Sequence, residues 1–156
     1  MSEAVKNPPE NMPRITSSIF YDDPRAALDW LEKAFGFKRR LVIDGPDGGV
    51  VHSEMEFADG VIFVGPSTAF PETRSAGGSG GTVTQWLYVY VDDVDAHCEK
   101  ARKASAEIVR EPEDQFYGDR NYSAFDCEGH RWTFGQHVKD IAGGDMVMPE
   151  GMTSEG

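Results

Sequence analysis

Apolar residues recur at Ala27, Leu28, Leu31, Ala34 and Phe35, the spacing of a single buried helical stripe. Asp23-Pro24 stands before the stripe and Gly36 after it. A carboxylate at that point can accept from free N–H groups of the first turn, and Pro suits the first helical position. Gly suits the left-handed residue that ends a helix. On either side the pattern is that of strands: residues 15–21 form an apolar run, and residues 37–43 follow the helix. After a turn at 44–49, residues 50–57 alternate, with His52, Glu54 and Glu56 on one face and Val51, Ser53, Met55 and Phe57 on the other. Asp59-Gly60 predicts a tight turn into a strand at 61–64. The first half therefore reads β-α-β-β-β.

The same plan recurs about seventy residues later, where 88–97 aligns with 18–27. Asp22 and Asp23 fall on Asp92 and Asp93, Ala26 on Ala96, Ala34 on Ala104 and Arg40 on Arg110. The second copy predicts a strand at 86–91 and a helix capped by Asp93 and running to about Ala104. A strand beginning at 107–110, a loop at 111–119, a strand at 120–126, the turn Glu128-Gly129 and a strand at 131–136 complete it. Residues 66–82, rich in Gly, Ser, Thr and Pro, read as a flexible linker that could act as a lid. Residues 1–13 read as a loose arm and 139–156 as a flexible tail, leaving one domain at 14–138 built from modules 14–65 and 83–138. The fold class is α+β, two pseudo-symmetric βαβββ modules forming curled mixed sheets around a cleft, and such a cleft is a natural ligand site.

A chain of 156 residues can bury a core without disulfides or metal. Its 27 acidic residues against 15 basic ones give a net charge of −12, which disfavours nucleic acid and anionic membranes and favours cationic small ligands. Two cysteines, Cys98 and Cys127, make no disulfide framework and suit a reducing compartment. The polar stretch 1–13 lacks the apolar run of a signal peptide, so the expected location is cytoplasmic.

Two groups of residues carry a family resemblance. The first is Tyr21-Asp22-Asp23-Pro24-Arg25-Ala26-Ala27-Leu28 with Ala34-Phe35-Gly36-Phe37. The second is Val91-Asp92-Asp93-Val94-Asp95-Ala96, Tyr117-Gly118-Asp119-Arg120 and Asp126-Cys127-Glu128-Gly129-His130-Arg131-Trp132-Thr133-Phe134. Together they resemble the vicinal oxygen chelate superfamily of glyoxalase I, bleomycin-resistance proteins and extradiol dioxygenases, closest to its PhnB-type group. The resemblance implies a small-molecule cleft and a homodimer, sometimes formed by exchanging modules. In metal-dependent members it implies four metal ligands from the first and fourth strands of the modules. Those positions here are Thr16, Phe63 or Val64, Trp86 and Thr133. None is a good ligand for a divalent ion, so no metal and no cofactor is expected.

Strand parity places Thr16, Ser18 and Phe20, then Trp86, Tyr88 and Tyr90, then Arg131, Thr133 and Gly135 toward the cleft. With Val64 and Arg120 these form the candidate ligand-binding set, an aromatic wall with hydroxyls and a guanidinium. Such a lining suits a flat aromatic ligand, and it equally suits a pocket filled by its own side chains. Arg120 can bind a ligand carboxylate or pair with Asp119 or Asp126. His97 is expected at the surface, and the parity that His137 shares with Thr133 and Gly135 would let it reach the cleft mouth. The expected function is metal-free binding of an aromatic or cationic small molecule, of the sequestering, resistance type. The alternative is a lyase, isomerase or dioxygenase holding a divalent metal through His52, Glu54 or His137, neighbours along a strand being about 7 Å apart.

Overall fold

The computed structural model describes residues 4–155, so the first three residues of the expected arm and the last of the expected tail lie outside the described residues. The chain divides into two compact units, one running to Thr82 together with Cys127–Gly129, the other comprising Val83–Asp126 and the chain from His130 onward. In the first unit β1 (Ser17–Tyr21), α1 (Pro24–Phe35), β2 (Lys38–Asp44), β3 (Val50–Phe57) and β4 (Gly60–Pro66) follow in order. The second repeats them as β5 (Leu87–Tyr90), α2 (Val94–Lys103), β6 (Glu107–Asp114), β7 (Asp119–Phe125) and β8 (Arg131–His137). Each unit is an open four-stranded sheet, ordered β1-β4-β3-β2 and β5-β8-β7-β6, with a single parallel pair, β1–β4 or β5–β8. This is the α+β arrangement of two βαβββ modules.

The duplicated signals behave alike. Asp23 and Asp93 cap their helices, each carboxylate accepting at 3.0 Å from the N–H of the third residue on, Ala26 or Ala96. Such a cap contributes about 0.5–2 kcal/mol. Gly36 ends α1 at φ 81°, as predicted, and Ala27, Leu28, Leu31, Ala34 and Phe35 are all buried. Register fixes the repeat: Ser17 pairs with Ile62 as Leu87 pairs with Trp132.

Several boundaries differ from expectation. β6 continues through Pro112 to Asp114 where a loop was expected. It is an edge strand whose register shifts between Arg110 and Glu113, so the missing Pro N–H costs no ladder bond. Val51 lies exposed because the register also shifts at the start of β3, between Ile43 and Asp44. The stretch 66–82 is anchored rather than loose. Ser75 and Ala76 are buried, the Ser75 hydroxyl donates to Asp22 (3.0 Å), and the Gly77 N–H donates to the Glu128 carbonyl (2.9 Å). The Glu128 carboxylate also accepts from the N–H groups of Asp22 (2.6 Å) and Asp23 (3.0 Å) at the start of α1. The N-terminal arm is tied as well, the Arg40 guanidinium donating to the Asn11 carbonyl at 3.0 Å.

Candidate functional site

In the second unit α2 covers one face of the sheet. His97 packs on Phe134 with ring centres 4.3 Å apart and bonds the Tyr122 hydroxyl at 2.6 Å. His97 is thus a packed histidine, contrary to the surface position expected of it. Arg120, also on this side, pairs with Asp95 of α2 at 3.0 Å and with Asp114 at 3.1 Å. That replaces the expected partners Asp119 and Asp126 and commits the guanidinium to structure.

The opposite face carries Trp86, Tyr88 and Tyr90, which are 52%, 40% and 59% exposed. The alternation that sends Val91 into the core turns these three outward together, and the Tyr88 and Tyr90 rings lie 5.2 Å apart. Gly135 makes room for them: a Cβ there would overlap the Tyr88 hydroxyl. Arg131 sits beside Trp86, its guanidinium carbon 5.2 Å from the indole centre, a cation–π contact of about 0.5–1 kcal/mol at an exposed site.

Beneath the tyrosines lies a polar cluster that sequence reasoning missed. The Asp119 carboxylate, 4% exposed, accepts from the Tyr88 hydroxyl (2.7 Å) and the Tyr90 hydroxyl (2.9 Å) and bonds His137 Nδ1 (2.8 Å). Asn121 donates to the Tyr88 and Tyr117 hydroxyls at 3.1 and 2.8 Å, and Arg110 donates to Asn121 Oδ1 at 2.5 Å. Burial pushes the Asp119 carboxyl pKa up, but the three bonds from His137, Tyr88 and Tyr90 outweigh it and hold the carboxyl below its ordinary value. Burial raises Tyr88, opposed by Asn121 and reinforced by Asp119. The Asp119 bond is the main cause of the rise at Tyr90. Neither phenol is poised to act as a base; both are fixed, with their ring surfaces outward.

Thr133 lies on the same face, buried, its hydroxyl 2.9 Å from that of Ser123. Cys98 is buried, which pushes its thiol up to about 11 and removes it as a nucleophile at neutral pH.

The first unit is built differently. Arg39 pairs with Asp29 and Glu32 of α1 and stands opposite Met55, which marks the helix side of that sheet. Val64, in register with Ser53 two residues before Met55, is on that side and fully buried. It is a core residue, and Phe63 takes the other face, against His52 at a ring separation of 5.0 Å. Thr16, Ser18 and Phe20 are partly or well exposed on or before β1. Glu54 is held by Arg40 at 3.1 Å and by His52 Nε2 at 3.4 Å. Glu56 and Val61 line a cavity of about 460 Å3 together with Asn11 and Pro13 of the arm.

The donor chemistry at the family's ligand positions does not fit a divalent ion. The first unit offers a neutral Thr16 hydroxyl and the Phe63 ring, the second an indole and a Thr133 hydroxyl already bonded to Ser123. His137 has both ring nitrogens engaged, Nδ1 with Asp119 and Nε2 with Asp140 at 2.6 Å.

Comparison with known proteins places this architecture. The model of the glyoxalase/bleomycin resistance protein/dioxygenase superfamily matches residues 12–134. An uncharacterized protein of Mycobacterium tuberculosis is 30% identical over 132 residues, which cover 83% of this chain and 77% of that protein. Among solved structures, TioX from Micromonospora sp. ML1 is 34% identical with a TM-score of 0.66, covering 81% of this chain and 99% of TioX. TnmS3, an antibiotic binding protein from Streptomyces sp. CB03234, is 21% identical with a TM-score of 0.62 over 79% of this chain and 93% of its own. No helix among the described residues is long and apolar enough to cross a membrane. The chain belongs to the glyoxalase/bleomycin resistance protein/dioxygenase superfamily.

Proposed function

We propose that this protein binds a flat aromatic small molecule without a metal ion, holding it against the Trp86–Tyr88–Tyr90 face of the second unit to sequester rather than transform it. The observation that carries this reading is the half-exposed aromatic trio, in which Asp119 fixes Tyr88 and Tyr90 from below and Arg131 lies against Trp86. Three large rings left in solvent on one strand face are apolar surface that a ligand can cover. The Tyr88 and Tyr90 hydroxyls are spent on a buried carboxylate, which keeps those two rings in place at little entropic cost when a ligand arrives. The antibiotic binding protein TnmS3, of the same fold, supports the reading. The misfit of the ligand positions supports its metal-free part.

Covering about 100 Å2 of ring surface is worth roughly 2.5 kcal/mol, and about 1.4 kcal/mol is a factor of ten in affinity. Trp86→Ala should therefore weaken binding of a neutral bicyclic probe, 2-naphthylmethanol, by more than tenfold, read by NMR titration with amide shifts as the fold control. Equal affinity in the variant would refute the assignment. Protein purified without a His tag, soaked in zinc, nickel, manganese or ferrous iron and then desalted, should retain far less than one equivalent by elemental analysis. Stoichiometric metal would overturn the metal-free reading and leave the aromatic contact to be judged on its own titration.

A further inference from the structure

We infer that Arg131 sets the charge of the ligand: the aromatic face of the second unit selects planar aromatic acids, with an anionic oxygen on the Arg131 guanidinium, over cations of the same shape. This rests on the binding reading above and goes beyond it, since a net charge of −12 by itself favours a cation.

The local charge is opposite to the global one. Arg102, Arg110 and Arg120 of the second unit each hold a carboxylate, Glu111, Glu113 and Asp95 respectively. Arg131 holds none among the described residues, and its Nε is buried with no hydrogen-bond partner. In a chain with 27 acidic residues, a guanidinium left without a carboxylate beside three exposed aromatic rings is an unfilled donor site. Asp119, the buried acid beneath the tyrosines, already bonds His137 and two phenols and offers a cation little.

Geometry favours an acid as well. Arg131 lies over the Trp86 ring, so the fork is oriented before a ligand arrives. It stands at the start of β8, in register with Phe125 of β7, and its guanidinium lies beside Trp86. A flat acid can lay its rings along β5 and present its carboxylate to the planar donors, where a charge-assisted and bidentate contact is available. An ammonium in the same place would meet a like charge.

Three probes of one shape test this: 2-naphthoate, 2-naphthylmethylammonium and neutral 2-naphthylmethanol, titrated by NMR against the native protein, Arg131→Gln and Arg131→Lys. The native protein should bind the acid at least tenfold more tightly than the amine. Arg131→Gln should remove that preference, bringing the acid-to-amine affinity ratio close to one, and Arg131→Lys should restore part of it. Preference for the amine, or an acid preference that survives in Arg131→Gln, overturns the inference and leaves the aromatic site standing. If none of the probes shifts the Trp86 indole signal, the binding reading itself falls and this inference with it. Should Arg131→Gln fail to fold, the Arg131→Lys ratio of acid to amine still decides: it must fall below the native ratio.

Discussion

The two sheets of this protein share a plan on their helix-facing sides and almost nothing on the other. Register aligns Ile62 with Trp132 and Val64 with Phe134, all apolar and buried, and both helices start from an aspartate cap. On the opposite face the same register sets Ser18 against Tyr88, Phe20 against Tyr90, Phe63 against Thr133 and Val61 against Arg131. The third strands match as well, Glu54 with Ser123 and His52 with Asn121. On the first unit's face Arg40 ties Glu54 and the N-terminal arm, and His52 lies on Phe63. The second leaves three half-exposed aromatic rings beside the Arg131 guanidinium, which pairs with no carboxylate among the described residues. The duplicated face holds the fold, where every change is felt by the core, and the diverged face is where chemistry can change at small cost.

One substitution made twice breaks or sharpens this contrast most directly. Gly65 and Gly135 occupy equivalent positions in β4 and β8. A Cβ at Gly65 would meet the Phe20 ring at 3.8 Å, an ordinary contact, whereas one at Gly135 would overlap the Tyr88 hydroxyl and displace the ring from Asp119. Gly135→Ala should destabilise by about 1–3 kcal/mol, the usual cost of overpacking, and should also weaken probe binding. Gly65→Ala should be neutral or stabilise by about 0.5 kcal/mol through the unfolded chain. Urea unfolding of the two variants checks this; equal losses would mean that the two faces are packed alike and that Tyr88 is not held as described.

What the sequence made readable, and what it hid, follows the same division. Helix stripes, aspartate caps and Gly36 were readable because their physics is local: each needs only residues within a few positions. The aromatic parity of β5 was readable for the same reason. Asp119 was not, since its partners Tyr88, Tyr90 and His137 are brought to it by strand pairing, 31, 29 and 18 residues away in sequence. Val64 was misplaced because parity had to be counted through the turn at Asp59-Gly60, where Ala58 adopts φ 49° and only the Phe57–Gly60 pairing fixes the phase. Sequence proximity points Arg120 to Asp119 or Asp126, whereas the helix packed on its sheet supplies Asp95. Lone charges carry little positional information until the layer above them is known.

The smallest effect expected is also the one specific to the second unit. His137 stands in β8 where the repeat puts Ser67 in the first unit, so only the second sheet has a titrating group at that position. The bond to Asp119, then that to Asp140, raises the His137 pKa above its ordinary 6.5. A raised folded value means that the imidazolium stabilises the native state fully below pH 6.5, and that this contribution is lost as pH rises through the folded pKa. Asp119 works the other way: its lowered pKa gives stability that is present at neutral pH and lost in acid. Between those limits the cluster beneath the aromatic rings is at its most rigid. Unfolding midpoints in urea should therefore fall from pH 6 to pH 9 by more in the native protein than in His137→Gln, and the difference between the two profiles cancels the other histidines. Probe affinity should follow the same curve if rigidity of the Tyr88–Tyr90 platform matters for binding. Parallel profiles would show that His137 contributes nothing through Asp119, and that the phenols alone hold the platform together.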